Sequence, residues 1–551
     1  MVTPSFAVVA LLPLVGLLTL IVSLVFFAVR HRFRQLPLRA IPGPPRASFV
    51  EGNLGQMYNP QAKAFHRHLT KTYGDIIKVN GLLGDIQIQV ADPRACQSIL
   101  QEHDVFEMAP WFLEMNRHVL GSGLFSTTGP HHRKQRKMLN PMFSTKSIRS
   151  MTPLFQKITH QLEDALSLKV ESGPQELDMM EWVERVALEL VAQGGFGYSF
   201  GSLEGESNKF GLALKDFLPS ISGIMLWCMN FHRVSMLPAS FLRGVASWLP
   251  WQSLHRVIGI VDVMSAHAKA VFEDKKYLLD KGDVETVHQI GEGRDIISIF
   301  LKANMSATDE DRLPEEEILA QMNTFLFAGT DTTSAALSRV LYLLSENQDV
   351  QMRLRQELLE AQSTADGGQL GFDELAALPY LEAVCRESLR VFPPVTFVNR
   401  TCRKDIFVPL GHPIETSTGD VLNSLYVPNG TDVAINILAM NLSTAIWGHD
   451  AEEWKPERWL APLPETVEEA RIPGVYANTM TFLGGSRSCI GFKFSQLSLK
   501  VTLAQLIPSF RFSPSKKEEV EWRFGVTTIP GIKGSDALDP KLPMMVERVE
   551  I

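Results

Sequence analysis

Cysteine is scarce in this chain: Cys96, Cys228, Cys385, Cys402 and Cys489 are the five present in 551 residues. An odd, scattered set excludes a disulfide framework and fits a reducing compartment. Basic residues are not in surplus either. The net charge is −8, so nothing draws the whole chain toward nucleic acid, and any basic partner surface has to be local. Internal repeats and low-complexity tracts are missing. So is the alternating strand–helix rhythm of a dinucleotide-binding unit, and no flavin or nicotinamide fingerprint occurs. With 45% hydrophobic and 21% charged residues, the chain is neither disordered nor collagen-like.

One stretch lacks charge altogether. Met1 to Val29 contains no Asp, Glu, Lys, Arg or His. At ~1.5 Å per residue, Phe6–Val29 can cross ~30 Å of hydrocarbon. A cleaved signal peptide would open with basic residues, whereas Arg30, Arg32, Arg34 and Arg39 follow the apolar run. The expectation is a retained single-pass anchor over residues 1–29, with the remainder on the cytosolic side. A basic and Pro-rich hinge follows over residues 30–48, stiffened by Ile41-Pro42-Gly43-Pro44-Pro45. Residues 49–551 form the body. Glycosylation sequons begin at Asn304, Asn429 and Asn441, and on the cytosolic side they go unused.

The body reads as mainly α with small β-sheets. Helical periodicity marks 151–168, 182–195, 257–280, 315–345, 350–361, 378–392 and 494–507. Short strand-like runs fall at 76–79, 86–90, 407–408 and 432–435. Loops are expected at 106–128, 365–371, 411–420 and 461–479. The most informative helix begins after Pro314 with Glu315, Glu316 and Glu317, acids that favour the positive end of its dipole. Its middle, Ala328-Gly329-Thr330-Asp331-Thr332-Thr333-Ser334, is polar and weakly helical between Phe327 and Leu337. That patch is either a functional break or a kinked core helix with back-bonded threonines.

Near the carboxyl end, Phe482-Leu483-Gly484-Gly485-Ser486-Arg487-Ser488-Cys489-Ile490-Gly491 leads into the last long helix. A thiol at a helix amino terminus, two residues from Arg487, has its thiolate favoured by dipole and charge. Glycines 484, 485 and 491 let backbone approach a flat ligand. No Cys or His neighbours Cys489, which excludes an ordinary four-ligand zinc site or an iron–sulfur cluster there. A single thiolate suffices where a porphyrin supplies the other four ligands.

Phe482-x-x-Gly485-x-Arg487-x-Cys489-x-Gly491 resembles the haem-binding signature of the cytochrome P450 family. Ala328-Gly329-x-Asp331-Thr332-Thr333 resembles its oxygen-activation motif. Glu387-Ser388-Leu389-Arg390 and Pro456-Glu457-Arg458-Trp459 resemble its ion-pair triad. The likeness runs from about residue 40 to 530 and overrides a multi-domain reading based on length. It implies the fold of that family: a single large haem domain after an amino-terminal transmembrane helix, of the microsomal, eukaryotic type, at the endoplasmic reticulum membrane.

The resemblance implies haem b with Cys489 as axial thiolate. It makes Arg487, Arg400, Arg136 and His132 partners of the propionates. His132 stands where relatives have Trp, and either ring can offer an N–H. Phe482 packs against the haem or shields the sulfur, with plain core packing the alternative; Gly485 and Gly491 let backbone approach the haem, Gly329 makes room for dioxygen, and Asp331 with Thr332 delivers protons. The triad is structural. Ser498, where many relatives carry an acid, is a departure without an assigned consequence. The basic cluster 131–137 is a docking surface for an NADPH-dependent flavoprotein reductase, with cytochrome b5 a second possible electron donor. Aromatic, Leu and Met residues in 106–128 and 217–248 line a lipophilic substrate site or pack the core. The helix ending at Gly194-Gly195-Phe196-Gly197 resembles fungal members. The expected activity is monooxygenation of a terpenoid or other lipophilic secondary metabolite. A P450-fold isomerase or peroxygenase and a non-catalytic haem sensor are the alternatives.

Overall fold

The computed structural model describes residues 30–549 apart from 205–210, 212, 214–215, 218–219, 222–223, 232–236, 238, 282–294, 309 and 536–538. The expected anchor, residues 1–29, lies outside the described residues. Among the described residues no helix is long and apolar enough to cross a membrane. Two compact units are delimited. One holds described residues 30–57, 65–107 and 399–435, and the other holds 58–64, 108–398 and 436–549.

The first unit is built on a five-stranded sheet in the order Ile76–Asn80, Ile86–Val90, Asp432–Asn436, Phe397–Cys402, Phe106–Met108. The first pair is antiparallel, with Ile76 opposite Val90, and Gln87 is parallel to Asp432. The Pro-rich segment is laid against this sheet. Pro42 C=O accepts the Lys78 N–H at 2.8 Å. A Cβ on Gly43 would stand 2.0 Å from Lys78 O, so only glycine lets the chain come this close.

Of the expected loop 411–420, residues 411–415 are strand and 416–420 are the turn. Ile406–Glu415 and Val421–Val427 form an antiparallel hairpin with an irregularity between Pro409 and Ile414. Gly411 and Pro413 read as breakers, but a two-stranded ribbon tolerates both at a bulge.

The second unit is helical. The central helix, Glu315–Glu346, follows Pro314 in extended conformation and opens with three acids. It continues unbroken through the polar patch and packs against Met179–Phe196, Gln252–Lys281, Pro379–Val391 and Phe492–Ser509. The shared core includes Phe155, Phe300, Leu337, Leu341, Leu381 and Leu503, all fully buried. Burying such side chains contributes roughly 1.5–3 kcal/mol each.

The expected loop 106–128 contains the helix Pro110–Leu120. Proline fits its first turn, and its buried positions Trp111, Leu113, Asn116 and Leu120 follow helical spacing. Gly329 also differs from expectation. Its missing Cβ makes room for Val191, whose Cγ2 would lie 2.8 Å away, so this glycine lets two helices pack.

Candidate active site

The cysteine loop is anchored before it is chemical. On the helix Pro379–Val391, Glu387 and Arg390 face one another at i and i+3. Arg390 holds Glu387 through two bonds, Nε to Oε2 at 2.8 Å and Nη2 to Oε1 at 2.7 Å. Its Nη1 donates to the carbonyls of Asn441 and Ala451. Arg458 Nε reaches Glu387 Oε1 at 3.3 Å, and its Nη1 reaches Asp450 Oδ1 at 2.9 Å. Trp459 Nε1 and the Lys455 N–H complete the shell of Glu387.

From this network a chain of bonds leads to the cysteine. Asn441, whose carbonyl receives Arg390, accepts the Met480 N–H on Oδ1 at 2.8 Å and donates to Thr481 Oγ1 at 2.9 Å. Thr481 Oγ1 in turn donates to Leu389 C=O. Phe482 follows, and its C=O accepts the Cys489 N–H at 2.9 Å. Its ring is buried against Tyr476 and Phe492. Asn441 was visible in the sequence only as the start of a sequon. It is fully buried with both ends of its amide bonded, so no sugar could be attached in the fold. Asn304 is likewise buried, and only Asn429 of the three is exposed.

Gly485 takes φ +69°, the left-handed region that favours glycine, and this turns the loop so that Cys489 precedes the helix Phe492–Ser509. The Cys489 side chain is exposed. Enough protein nevertheless surrounds it for burial to push its thiol up, while the Gly491 backbone N–H and the Arg136 charge pull it down. The sulfur is thus accessible at its tip while protein surrounds the rest of it. Among the described residues no group of three or more His, Cys, Asp or Glu side chains is placed to hold a metal ion. Cys489 therefore offers one ligand, the number a porphyrin iron needs from this side.

Cations gather beside it. The helix Gly129–Leu139 carries His132 and Arg136 four residues apart, and His132 is buried. Arg136 donates to Ser488 O at 2.8 Å and to Ser488 Oγ at 3.1 Å. Arg487 donates to Leu124 O at 3.1 Å and to Thr127 O at 2.5 Å. All four acceptors are neutral oxygens. These guanidiniums thus bring positive charge to the loop, as carboxylate-bearing haem requires. The donor set fits the group. Arg400 is buried in the first unit, where it donates to Asn399 C=O and burial pushes its pKa down to about 10.

The remainder of the basic cluster divides. Lys134 is tied to the carbonyls of Glu310 and Arg312, and His131 meets Glu317 at 3.0 Å. Arg133 and Lys137 are exposed.

The central helix joins this assembly through Leu124, whose N–H donates to Gln321 Oε1. Along it, Thr332 Oγ1 donates back to Ala328 C=O at 2.7 Å, and buried Thr330 Oγ1 has no partner among the described residues. Asp331 Oδ2 accepts from Thr527 Oγ1 at 2.9 Å. Burial raises the Asp331 carboxyl to about 7, the Thr527 bond lowering it only in part. A carboxyl that titrates near neutrality can both give and take a proton. The sequence pointed to Asp331 but not to Thr527, which no motif marks. Ser498 is buried and donates to Phe494 C=O in its own helix.

Known proteins fix the class. The family profile for Cytochrome P450 matches residues 42–530. Cytochrome P450 monooxygenase 91 of Postia placenta is 44% identical over 521 residues, 94% of this chain and 95% of the relative. A ganoderic acid synthetase of Ganoderma lucidum is 40% identical over 532 residues, 95% of this chain and 96% of the relative. A cytochrome P450 enzyme of Hericium erinaceus is 35% identical over 541 residues. An accessible lone thiol, cations flanking it and a paired network behind it agree with this likeness, and the chain belongs to the cytochrome P450 family, a haem-thiolate monooxygenase of fungal kind.

Proposed function

We propose that Cys489 is the axial ligand of haem b, and that the enzyme oxidises a bulky lipophilic substrate at the cytosolic face of the endoplasmic reticulum membrane. The observation that carries this reading is the exposed thiol on a loop whose backbone is tied, bond by bond, to a buried ion-pair network. Arg136, Arg487 and His132 would hold the propionates, and Gly485 and Gly491 would let the loop lie close to the ring. Bound haem supplies the site at which dioxygen is reduced.

The protein's own contribution is protons and the exclusion of water. Asp331 exchanges a proton near neutral pH, and the Thr332 hydroxyl, now turned to Ala328 C=O, is the next carrier on the same turn. Apolar rings pack along the stretch of the helix just before it. Phe327 packs on Phe217 at 4.9 Å and Phe325 on Phe143 at 5.3 Å. Such surroundings suit a terpenoid or a similar secondary metabolite, and the relative named ganoderic acid synthetase supports a lipophilic natural product. Exposed Trp227, Phe241, Val245 and Trp248, together with the charge-free residues 1–29, support residence on a membrane. Exposed Arg133 and Lys137 are suited to an acidic reductase, or to cytochrome b5.

The test is the thiolate itself. Purified full-length protein, reduced and exposed to carbon monoxide, should show the red-shifted Soret band of a thiolate-bound porphyrin. With a reductase and NADPH it should incorporate one atom of labelled dioxygen into a lipophilic product. Cys489→Ala should lose both properties. Full turnover by that variant would overturn the ligand assignment.

A further inference from the structure

We propose that Thr527 is a positioning residue for oxygen activation: its hydroxyl holds the Asp331 carboxyl in the orientation from which protons are passed. The inference rests on the assignment of Asp331 to proton delivery, and names the group that holds it.

The contact joins segments 196 residues apart, Thr527 Oγ1 donating to Asp331 Oδ2 at 2.9 Å. Thr527 is buried. A hydroxyl has one hydrogen, so donating it to Asp331 fixes which way the bond runs. Among the described residues no other hydrogen bond reaches this carboxyl, and no charged side chain influences it. Its own helix offers the hydroxyls of Thr330 and Thr332. The helix opposite contributes Val191 against Gly329. The cation farther along the helix, Arg339, lies against Trp522 and Phe392. One neutral donor therefore decides where the acid points.

That donor sits on a firmly held loop. Strands Val520–Arg523 and Ile529–Ile532 pair antiparallel on either side of it. Phe524 N–H donates to Pro60 C=O at 2.6 Å, and Thr528 N–H to Pro394 C=O at 2.9 Å. Phe524 stacks on Phe397 with centroids 5.9 Å apart. Arg339 of the central helix stands over the Trp522 ring at 3.1 Å and the Phe392 ring at 4.3 Å. Arg523 bonds to the carbonyls of Ile532 and Ser535 across the strands. The hairpin is thus clamped to the helix that carries Asp331, and Thr527 takes its position from the clamp. A site residue gains precision when the group orienting it is itself fixed.

The experiment compares full-length wild type with Thr527→Val, Thr527→Ser and Asp331→Asn. Valine keeps the shape and removes the hydroxyl, whereas serine keeps the hydroxyl. Two readouts are taken: product formed per NADPH with reductase present, and the Asp331 carboxyl band followed by infrared difference titration, assigned by its absence in Asp331→Asn. Losing one hydrogen bond should lower the product-to-NADPH ratio roughly 3–10-fold in Thr527→Val. The carboxyl titration should move up by as much as about one pH unit. Serine should restore both. Substrate-induced spectral shifts should stay at wild-type concentrations, which separates positioning from binding. If Asp331→Asn uncouples the enzyme while Thr527→Val matches wild type in both readouts, the inference fails and the Asp331 assignment stands. Failure of serine to rescue also overturns it, because packing rather than the hydroxyl would then be responsible. If Asp331→Asn remains fully coupled, the assignment itself falls.

Discussion

Glu387 and Asp331 are both carboxylates enclosed in the helical unit, yet their surroundings are opposite. Glu387 accepts five hydrogen bonds, from Arg390 twice, Arg458, Trp459 and the Lys455 backbone. Asp331 accepts one, from the neutral hydroxyl of Thr527. The first group is saturated, so its position is locked. Its partners pass geometry onward, through Asn441 to the cysteine loop. The second is under-bonded and desolvated, so its proton is easily gained or lost near neutral pH. The same functional group is a fastening in one place and, in the function proposed above, a carrier in the other. Glu387 is fully buried and Asp331 half-buried, so exposure does not explain the contrast; partner number and charge do.

The sharpest way to break the contrast is to remove the saturated acid. Glu387→Ala leaves Arg390 and Arg458 buried without their shared counter-charge and should cost about 3–5 kcal/mol of stability. Denaturant unfolding measures this. Loss of the carbon monoxide band should accompany it, since the loop loses its anchor. A wild-type midpoint would show that the network is dispensable.

Replacing the under-bonded acid should do the reverse. The fold raises the Asp331 carboxyl from 3.8 to about 7, so its contribution to stability is fully present below the unfolded value. That contribution is lost as pH rises through the folded value, because the carboxylate is the form the interior disfavours. Asp331→Asn carries no such penalty. Relative to wild type, it should gain on the order of 2–3 kcal/mol between about pH 5 and about pH 8. Thermal or urea unfolding at the two pH values tests this, and a pH-independent difference would refute it.

The smallest expected effect lies on the surface. Arg133→Glu with Lys137→Glu should raise the KM for reductase several-fold, more at low salt, while leaving the carbon monoxide band unchanged. An unaltered KM would place the docking face elsewhere.

Much of this was legible beforehand because the informative residues lie close together in the chain. The cysteine loop spans ten positions, and the acid and threonine of the central helix are adjacent. Glu387 and Arg390 are a single helical turn apart. The boundaries of the long amphipathic helices followed from apolar spacing. Readings failed where local signals competed. Pro110 and the aromatics after it resembled a loop, although proline starts a helix as readily as it ends one. Gly411 and Pro413 obscured a strand that only its partner reveals. Gly329 was assigned to ligand space, but its vacancy is taken by Val191.

The sequence by itself determined the helical class, the thiol loop and the identity of the acid and alcohol on the central helix, because each is encoded by residues within a turn or two. Tertiary structure decided what those groups contact. It alone set Thr527 against Asp331 across 196 positions, and it alone made Asn441 the link between the ion pairs and the cysteine. Proton affinity depends on desolvation and on partners, and both exist only after distant segments have closed around the group.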